Sequence, residues 1–209
     1  MSHIEAFDAA FERLPLVAIL RGVRPDEVED IGDALVDAGF TLIEEPMNSP
    51  DPLESVARLA RRFAGNAVIG AGTVLSEAQV DAVRAAGGTM IVSPNANLAV
   101  IRASASAGLV SLPGIVTPSE AFAALDAGAT ALKLFPAEAA SPSVLKAMRA
   151  VLPAATRILP VGGIGPDTMA PWRDAGAAGF GLGSALYKPG MAAAEVGGHA
   201  EAFVRALRG

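Results

Sequence analysis

Lys133 is the side chain with the clearest chemical potential, because it lies in an apolar stretch at 131–137, ALKLFPA, that is typical of a buried strand. A buried ammonium ion without a partner is costly, so such a lysine tends to lose its proton. The neutral amine is a nucleophile that attacks ketones and forms a Schiff base. On this stretch alone, a structural lysine that reaches water or pairs with a carboxylate is the more common case.

Two adjacent carboxylates, Glu44 and Glu45, lie in an earlier apolar run. Successive side chains of a strand point to opposite faces, so we expect only one of them to share an interior with Lys133. Two interpretations stay open for that carboxylate: an ion pair with Arg21, or a general acid and base whose pKa is shifted by burial or by a cation. A candidate Schiff-base lysine on the same face favours the acid–base interpretation.

Two glycine clusters near the C-terminus could bind an anion. The segments VGGIGPD at 161–167 and GLGS at 181–184 both lie at predicted strand ends. Glycine lets backbone N–H groups approach an anion, and the start of a helix favours negative charge. The two clusters together predict a phosphate site at Gly162, Gly163, Gly183 and Ser184.

A repeating pattern positions these residues: an apolar strand followed by an amphipathic helix that ends in Ala-Gly. Strands are predicted at 16–22, 42–48, 67–74, 90–95, 110–116, 131–137, 157–163 and 179–186. Strands that alternate with helices are parallel, and eight such units fit a closed (β/α)8 TIM barrel. The segment 4–14 predicts an extra N-terminal helix. An open doubly wound sheet is the alternative, but it usually has fewer units and a glycine fingerprint after the first strand, which is absent here.

In a barrel of this kind, chemistry gathers at the C-terminal ends of the strands. Phe135 shares a strand face with Lys133, which leaves core packing and substrate contact equally open for its ring. The candidates at the strand ends are Arg21, Glu44, Thr73, Pro94, Lys133, Gly162, Gly163, Gly183 and Ser184.

Composition narrows the class of protein. The 209 residues suit one barrel domain, 1–209, and no apolar run approaches the ~20 residues that a membrane helix needs. The absence of cysteine excludes disulfides and thiol catalysis, and a net charge of −6 with mixed signs argues against nucleic-acid binding. The first residues lack the features of a signal peptide, so we expect a cytoplasmic protein. His3 and His199 lack partners at metal-ligand spacing, so no metal site is predicted.

At these residues the chain resembles the class I aldolases of 2-keto-3-deoxy-6-phospho sugar acids, the KDPG/KHG aldolase family. The resemblance runs from about Leu14 onward and rests on AILRG at 18–22, IGAGTV at 69–74, SPN at 93–95, KLFPA at 133–137 and VGGI at 161–164.

The resemblance implies roles for several residues. Lys133 matches the Schiff-base lysine, Glu44 the acid–base glutamate, and Arg21 and Thr73 the residues at the carboxylate end of the substrate. It also implies a phosphorylated keto-deoxy sugar acid and pyruvate as ligands, no cofactor, and a homotrimer. No metal is needed in such a reaction, because the iminium ion itself withdraws the electrons.

Departures from the family pattern indicate a branch. Members that act on the gluconate epimer typically have arginine four residues after the catalytic glutamate and threonine before the glycine pair, where this chain has Asn48 and Val161. Both residues resemble the galactonate branch, whose substrate differs at C4, so they are candidate substrate contacts. The expected reaction is cleavage of 2-dehydro-3-deoxy-6-phosphogalactonate to pyruvate and D-glyceraldehyde 3-phosphate, with the gluconate epimer as the alternative. Glu45 is a further departure, since the family usually has an apolar residue there.

Two other functions stay open. A phosphate-binding barrel isomerase or synthase would use Lys133 as an electrostatic clamp, and a barrel without activity would serve in binding or assembly. The intact pair of Lys133 and Glu44 argues against the second.

Overall fold

The computed structural model describes residues 1–208. Its strands are β1 Leu16–Ile19, β2 Leu42–Pro46, β3 Val68–Gly72, β4 Met90–Val92, β5 Val110–Leu112, β6 Gly114–Ile115, β7 Leu132–Leu134, β8 Ile158–Pro160 and β9 Phe180–Leu182. Its α-helices are α1 His3–Arg13, α2 Val28–Asp37, α3 Pro52–Arg62, α4 Glu77–Ala85, α5 Leu98–Ser106, α6 Pro118–Asp126, α7 Pro142–Arg149, α8 Met169–Asp174 and α9 Ala193–Arg208.

All strand pairs are parallel, and they curl into a closed barrel. Six strands pair in the order β5-β4-β3-β2-β1-β9, and three in the order β6-β7-β8. A parallel bridge between Val161 and Gly181 joins β8 to β9, while the chain itself joins β5 to β6 through Pro113. This arrangement confirms the predicted (β/α)8 barrel and the extra N-terminal helix, α1.

The predicted fifth strand, 110–116, is divided into β5 and β6. The division falls at Pro113, whose nitrogen has no hydrogen to donate to a strand ladder. The carbonyl of Pro113 still accepts the backbone N–H of Lys133 at 2.9 Å, so both segments occupy one position in the barrel.

The other predicted strands begin close to where they do in the structure but extend too far. Arg21 and Asn48 lie in turns that follow β1 and β2, and Phe135 lies one residue beyond β7, although its N–H still donates to Ile115 at 3.2 Å. These turns build the rim at the C-terminal end of the barrel.

Several helices begin at a side-chain cap. Ser76, Thr117 and Ser141 cap α4, α6 and α7, each by accepting a backbone N–H on its side-chain oxygen. Helix α2 begins at Val28 without such a cap. The Glu27 carboxylate accepts the backbone N–H of Arg24 at 3.1 Å, which makes the preceding residues a turn.

Helix α1 closes the N-terminal end of the barrel. Phe7 and Phe11 of α1 belong to one buried cluster with inward-facing residues such as Val17, Leu42 and Val68. A larger cluster fills the space between the strands and the surrounding helices. The remaining opening therefore lies at the C-terminal ends of the strands. None of the helices in the described part of the chain is long and apolar enough to span a bilayer.

Candidate active site

A cavity of about 460 Å³ opens at the C-terminal ends of the strands. Most of the predicted site residues line it: Arg21, Lys133, Phe135, Val161, Gly162, Gly163, Gly183 and Ser184. A small space beneath it, of about 10 Å³, is bordered by Glu44 and again by Lys133 and Val161. The barrel thus brings residues from distant parts of the sequence to one opening.

Lys133 lies on β7 and is 6% exposed. Its Nζ is 4.6 Å from the centroid of the Phe135 ring, so both side chains face the cavity, as strand alternation predicts. Burial lowers the pKa of the Lys133 ammonium and nearby Arg21 lowers it further, while the charge of Glu44 acts in the opposite direction. No carboxylate lies within ion-pair distance of Lys133 in residues 1–208. Its surroundings therefore favour the neutral, nucleophilic amine.

Glu44 lies on β2 and is 1% exposed. Its carboxylate lies where a side chain at Gly72 would stand, so the neighbouring strand needs glycine at that position. Burial raises the pKa of Glu44 to about 7, against the opposing effect of Lys133 and Arg21. Glu44 Oε2 has no hydrogen-bond partner among the described residues, and the ion pair with Arg21, which was the alternative interpretation, is not formed there. A carboxyl with this pKa can both take up and release a proton near neutral pH.

Glu45 is fully buried but lines neither cavity, in keeping with strand alternation. Burial raises its pKa to about 9, and the adjacent Glu44 raises it further, while Ser49 and Arg21 have the opposite effect. Both of its oxygens lack a hydrogen bond of good geometry within residues 1–208. Glu45 is therefore a neutral carboxylic acid at pH 7.

Arg21 and Asn48 connect the loops that follow β1 and β2. Arg21 Nη1 donates a hydrogen bond to Asn48 Oδ1 at 2.5 Å. One residue further along each loop, the backbone N–H of Gly22 donates to Ser49 Oγ at 2.8 Å. These two bonds fix the guanidinium of Arg21 at the edge of the cavity.

Thr73 and Pro94 lie at the same end of the barrel but do not line the cavity. Thr73 follows β3 with a φ of +55°, a strained conformation for a β-branched residue. Pro94 follows β4, and its carbonyl lies where a side chain at Gly114 of β6 would stand. Strain of this kind concentrates at functional sites, and Thr73 directly follows Gly72, the glycine that makes room for the Glu44 carboxylate.

The side of the cavity formed by the turns after β8 and β9 presents free backbone N–H donors. Gly162 and Gly163 have φ of +110° and +64°, which turns the chain sharply after β8. Within residues 1–208 the N–H groups of Gly163, Ile164 and Ser184 donate to no backbone or side-chain acceptor. Free N–H groups on two adjacent turns are suited to binding an oxyanion.

Three charged residues in the cavity wall were missed by sequence reasoning: Glu138, Asp167 and Lys188. They lie in turns beyond the strand ends, where no periodic pattern marks the direction of a side chain. Lys188 had a usable signal, since it is one of only three lysines and follows the eighth predicted strand.

Comparison with known proteins gives a family. The family model described as Aldolase, KDPG and KHG aldolase, matches residues 7–197. A protein of Rhizobium meliloti (strain 1021), named probable 2-dehydro-3-deoxy-6-phosphogalactonate aldolase, is 50% identical over 87% of this chain and 86% of its own length. The 2-dehydro-3-deoxy-6-phosphogalactonate aldolase of Escherichia coli (strain K12) is 46% identical over 94% of this chain and 96% of its own.

A solved structure supports the same family. The structure titled native KDPGal structure superposes with a TM-score of 0.92 at 46% identity, covering 94% of this chain and 95% of that one. The family model spans well over half of the chain and both relatives exceed 30% identity over most of its length. The chain therefore belongs to the KDPG and KHG aldolase family.

Proposed function

We propose that this protein is a class I aldolase that cleaves 2-dehydro-3-deoxy-6-phosphogalactonate into pyruvate and D-glyceraldehyde 3-phosphate through a Schiff base at Lys133. The observation that carries the proposal is the buried Lys133, which lacks an ion-pair partner in the described structure and faces a cavity with free backbone donors in the turns after β8 and β9. The names of the two relatives support the galactonate compound as the substrate.

The reaction begins with the amine of Lys133. The neutral Nζ attacks the C2 ketone, and a proton moves from nitrogen to oxygen to give a carbinolamine. Glu44, directly or through one water molecule, then donates a proton to the hydroxyl, which leaves as water. The product is a positively charged iminium ion, and Glu44 is left as a carboxylate.

The iminium ion then permits cleavage of the carbon–carbon bond. The Glu44 carboxylate accepts the proton of the C4 hydroxyl, the C3–C4 bond breaks, and its electron pair moves into a C2–C3 double bond. The aldehyde leaves and an enamine remains on Lys133. Glu44 returns its proton to C3, and water then hydrolyses the resulting iminium to pyruvate and the free amine. Glu44 takes up the proton that this hydrolysis releases, which restores the starting state.

The two sides of the cavity orient the substrate. Arg21, held by Asn48, supplies a fixed cation for the C1 carboxylate, with Thr73 at the end of β3, two strands away. The free N–H groups after β8 and β9 receive the 6-phosphate. C4 then lies between these two sides, where Val161 offers an apolar wall. An apolar neighbour disfavours the epimer whose hydroxyl points toward it, since that hydroxyl would lose its hydrogen bonds.

An isomerase or synthase that uses Lys133 as a clamp requires a stable ammonium ion. The burial of Lys133 and the nearby charge of Arg21 both oppose that state, so the clamp is the weaker interpretation.

The proposal includes a homotrimer in the cytoplasm. Large apolar side chains are exposed near the rim and on α6, among them Leu75 at 48% and Val116 and Phe122 at 42% each. Covering them in a subunit interface would stabilise an oligomer. Light scattering should give a mass three times the 21.1 kDa of one chain, and a monomer would contradict this part of the proposal.

Kinetics with both C4 epimers test the substrate. Pyruvate release, measured with a coupled dehydrogenase, should give a higher kcat/KM for the galactonate epimer, by about tenfold or more. Equal values, or a preference for the gluconate epimer, would overturn the assignment of the substrate while leaving the Schiff-base chemistry in place.

A further inference from the structure

Lys188 is a charged group in the cavity wall that the proposed mechanism does not use. It follows β9 in the loop that also contains Ser184, and both residues line the cavity. Between them the chain makes a single helical turn, in which the N–H groups of Leu186 and Tyr187 both donate to the carbonyl of Gly183, at 2.8 and 3.0 Å. This turn brings Lys188 back to the side of the cavity that carries Ser184.

The backbone of Lys188 is held in place although its side chain is exposed. Its N–H donates to the sulfur of Met191 at 3.3 Å, and its carbonyl accepts the N–H of Met191 at 3.1 Å. The next residue, Pro189, packs so closely against Gly22 that a side chain at Gly22 would collide with its ring. The start of the lysine side chain is therefore fixed relative to the Arg21 loop, while the ammonium group can move.

The other two basic residues of the cavity wall are not available to neutralise a bound anion. Arg21 is engaged by Asn48, and burial lowers the pKa of Lys133. Lys188 is the remaining cation in the wall, and no carboxylate lies within 4.0 Å of its ammonium group in the structure as described.

Two carboxylates lie on the same side of the cavity as the turns after β8 and β9. The carboxylate of Glu138 lies directly beside Gly162 and Gly163, and Asp167 follows on the same turn. A phosphate monoester carries about −1.5 to −2 charges at pH 7, so both carboxylates repel it. Backbone N–H groups orient the phosphate but carry no net charge to offset this repulsion.

We infer that Lys188 binds the phosphate of the substrate and supplies the charge by which the enzyme prefers phosphorylated over unphosphorylated sugar acids. A lysine on a flexible stem is a mobile point charge, which suits a group that must close on the phosphate and then release it. The inference rests on the proposed function, since it names the residue that binds the phosphate of the proposed substrate.

The test compares Lys188→Met and Lys188→Arg with the wild-type enzyme in three assays. These are cleavage of the phosphorylated substrate, cleavage of the same sugar acid without phosphate, and exchange of the methyl protons of pyruvate in D2O, followed by NMR. The exchange assay uses Lys133 and Glu44 but needs no phosphate. Lys146→Met removes a different exposed lysine, on α7 away from the cavity, and serves as the matched control.

We expect Lys188→Met to raise KM for the phosphorylated substrate by about tenfold or more, with less than about a twofold change in the other two assays. Lys188→Arg should recover most of the affinity, and added salt should raise KM more in the wild type than in Lys188→Met. An unchanged KM, or an equal loss in all three assays, would overturn the inference. Failure of the wild type to exchange pyruvate protons would instead overturn the proposed function.

Discussion

The two ends of the barrel differ in whether their polar groups have partners. At the closed end, Ser2 and Glu5 form a reciprocal capping box on α1, and Asp8 pairs with Arg157. The Arg157 guanidinium also lies 5.0 Å from the centroid of the Phe11 ring. At the open end, Glu44 and Glu45 are buried with oxygens that lack partners in residues 1–208.

The closed end has one comparable group, the hydroxyl of Thr41, which is buried without a partner in the part of the chain that is described. A lone hydroxyl costs far less to bury than an ionisable group. The difference between the ends indicates that the closed end maintains the fold, while the open end holds destabilising groups that serve chemistry.

Replacing the nucleophile should have the largest effect. Lys133→Met should lower kcat/KM by at least ~10⁴-fold, because it removes the buried amine that forms the iminium, and the other lysine of the cavity wall, Lys188, is exposed. Its thermal midpoint should be equal to or above that of the wild type, because a buried amine is replaced by an apolar side chain of similar size. Lys146→Met, at an exposed position, should keep full activity. Residual turnover near the wild-type rate in Lys133→Met would break the assignment.

Replacing the proton shuttle should come next. Glu44→Gln should lower kcat/KM by about 10²- to 10⁴-fold, since the amide keeps the shape but cannot accept or return a proton. In the wild type, kcat/KM should fall as pH rises through about 7, where Glu44 loses the proton that it donates to the carbinolamine. The variant should lack that fall, and a pH profile with the same midpoint in both would assign the titration to another group.

A change at the closed end should affect stability and leave the chemistry intact. Phe11→Ala removes a ring that is 6% exposed in the cluster under the barrel. It should lower the free energy of unfolding by about 3–5 kcal/mol, measured in urea, because it leaves a cavity. The kcat of the folded protein at 25 °C should stay within about twofold of the wild type. A large loss of kcat would show that the two ends are coupled, against the division drawn above.

Glu45 should make stability depend on pH. Its pKa rises from 4.5 to about 9 on folding, so between these values the folded state holds a proton that the unfolded state has lost. The free energy of unfolding therefore falls as pH rises through this window, by ~1.4 kcal/mol per pH unit. Glu45→Gln should remove this contribution and unfold at a higher temperature than the wild type at pH 9. The exposed Glu12→Gln should leave the slope unchanged. Identical slopes in Glu45→Gln and wild type would contradict the buried neutral acid.

Much of the fold could be predicted because its signals are periodic and local. Ala-Gly pairs mark helix ends, and apolar runs mark strands, so the eightfold order follows from the sequence. The ends of the strands could not be predicted, because residues such as Phe135 stay apolar although the strand has ended.

Strand alternation could predict the site only where it lies on a strand, while the glycine clusters marked the turns after β8 and β9. Alternation was sufficient to place Lys133 and Phe135 on one face. It could not show that Asn48 binds Arg21, or that Lys188 returns to the cavity, because both depend on the paths of loops. Nor could it show that Glu45 is buried without a partner, since that depends on how helices pack against the back of β2.

The central claim is that Lys133 forms a Schiff base, and one measurement tests it directly. The protein is incubated with pyruvate, reduced with borohydride, digested and mapped by peptide mass spectrometry. Reduction should add one pyruvate-derived group to the peptide that contains Lys133, and to neither Lys146 nor Lys188. An unmodified Lys133, with the enzyme still active before reduction, would contradict the account.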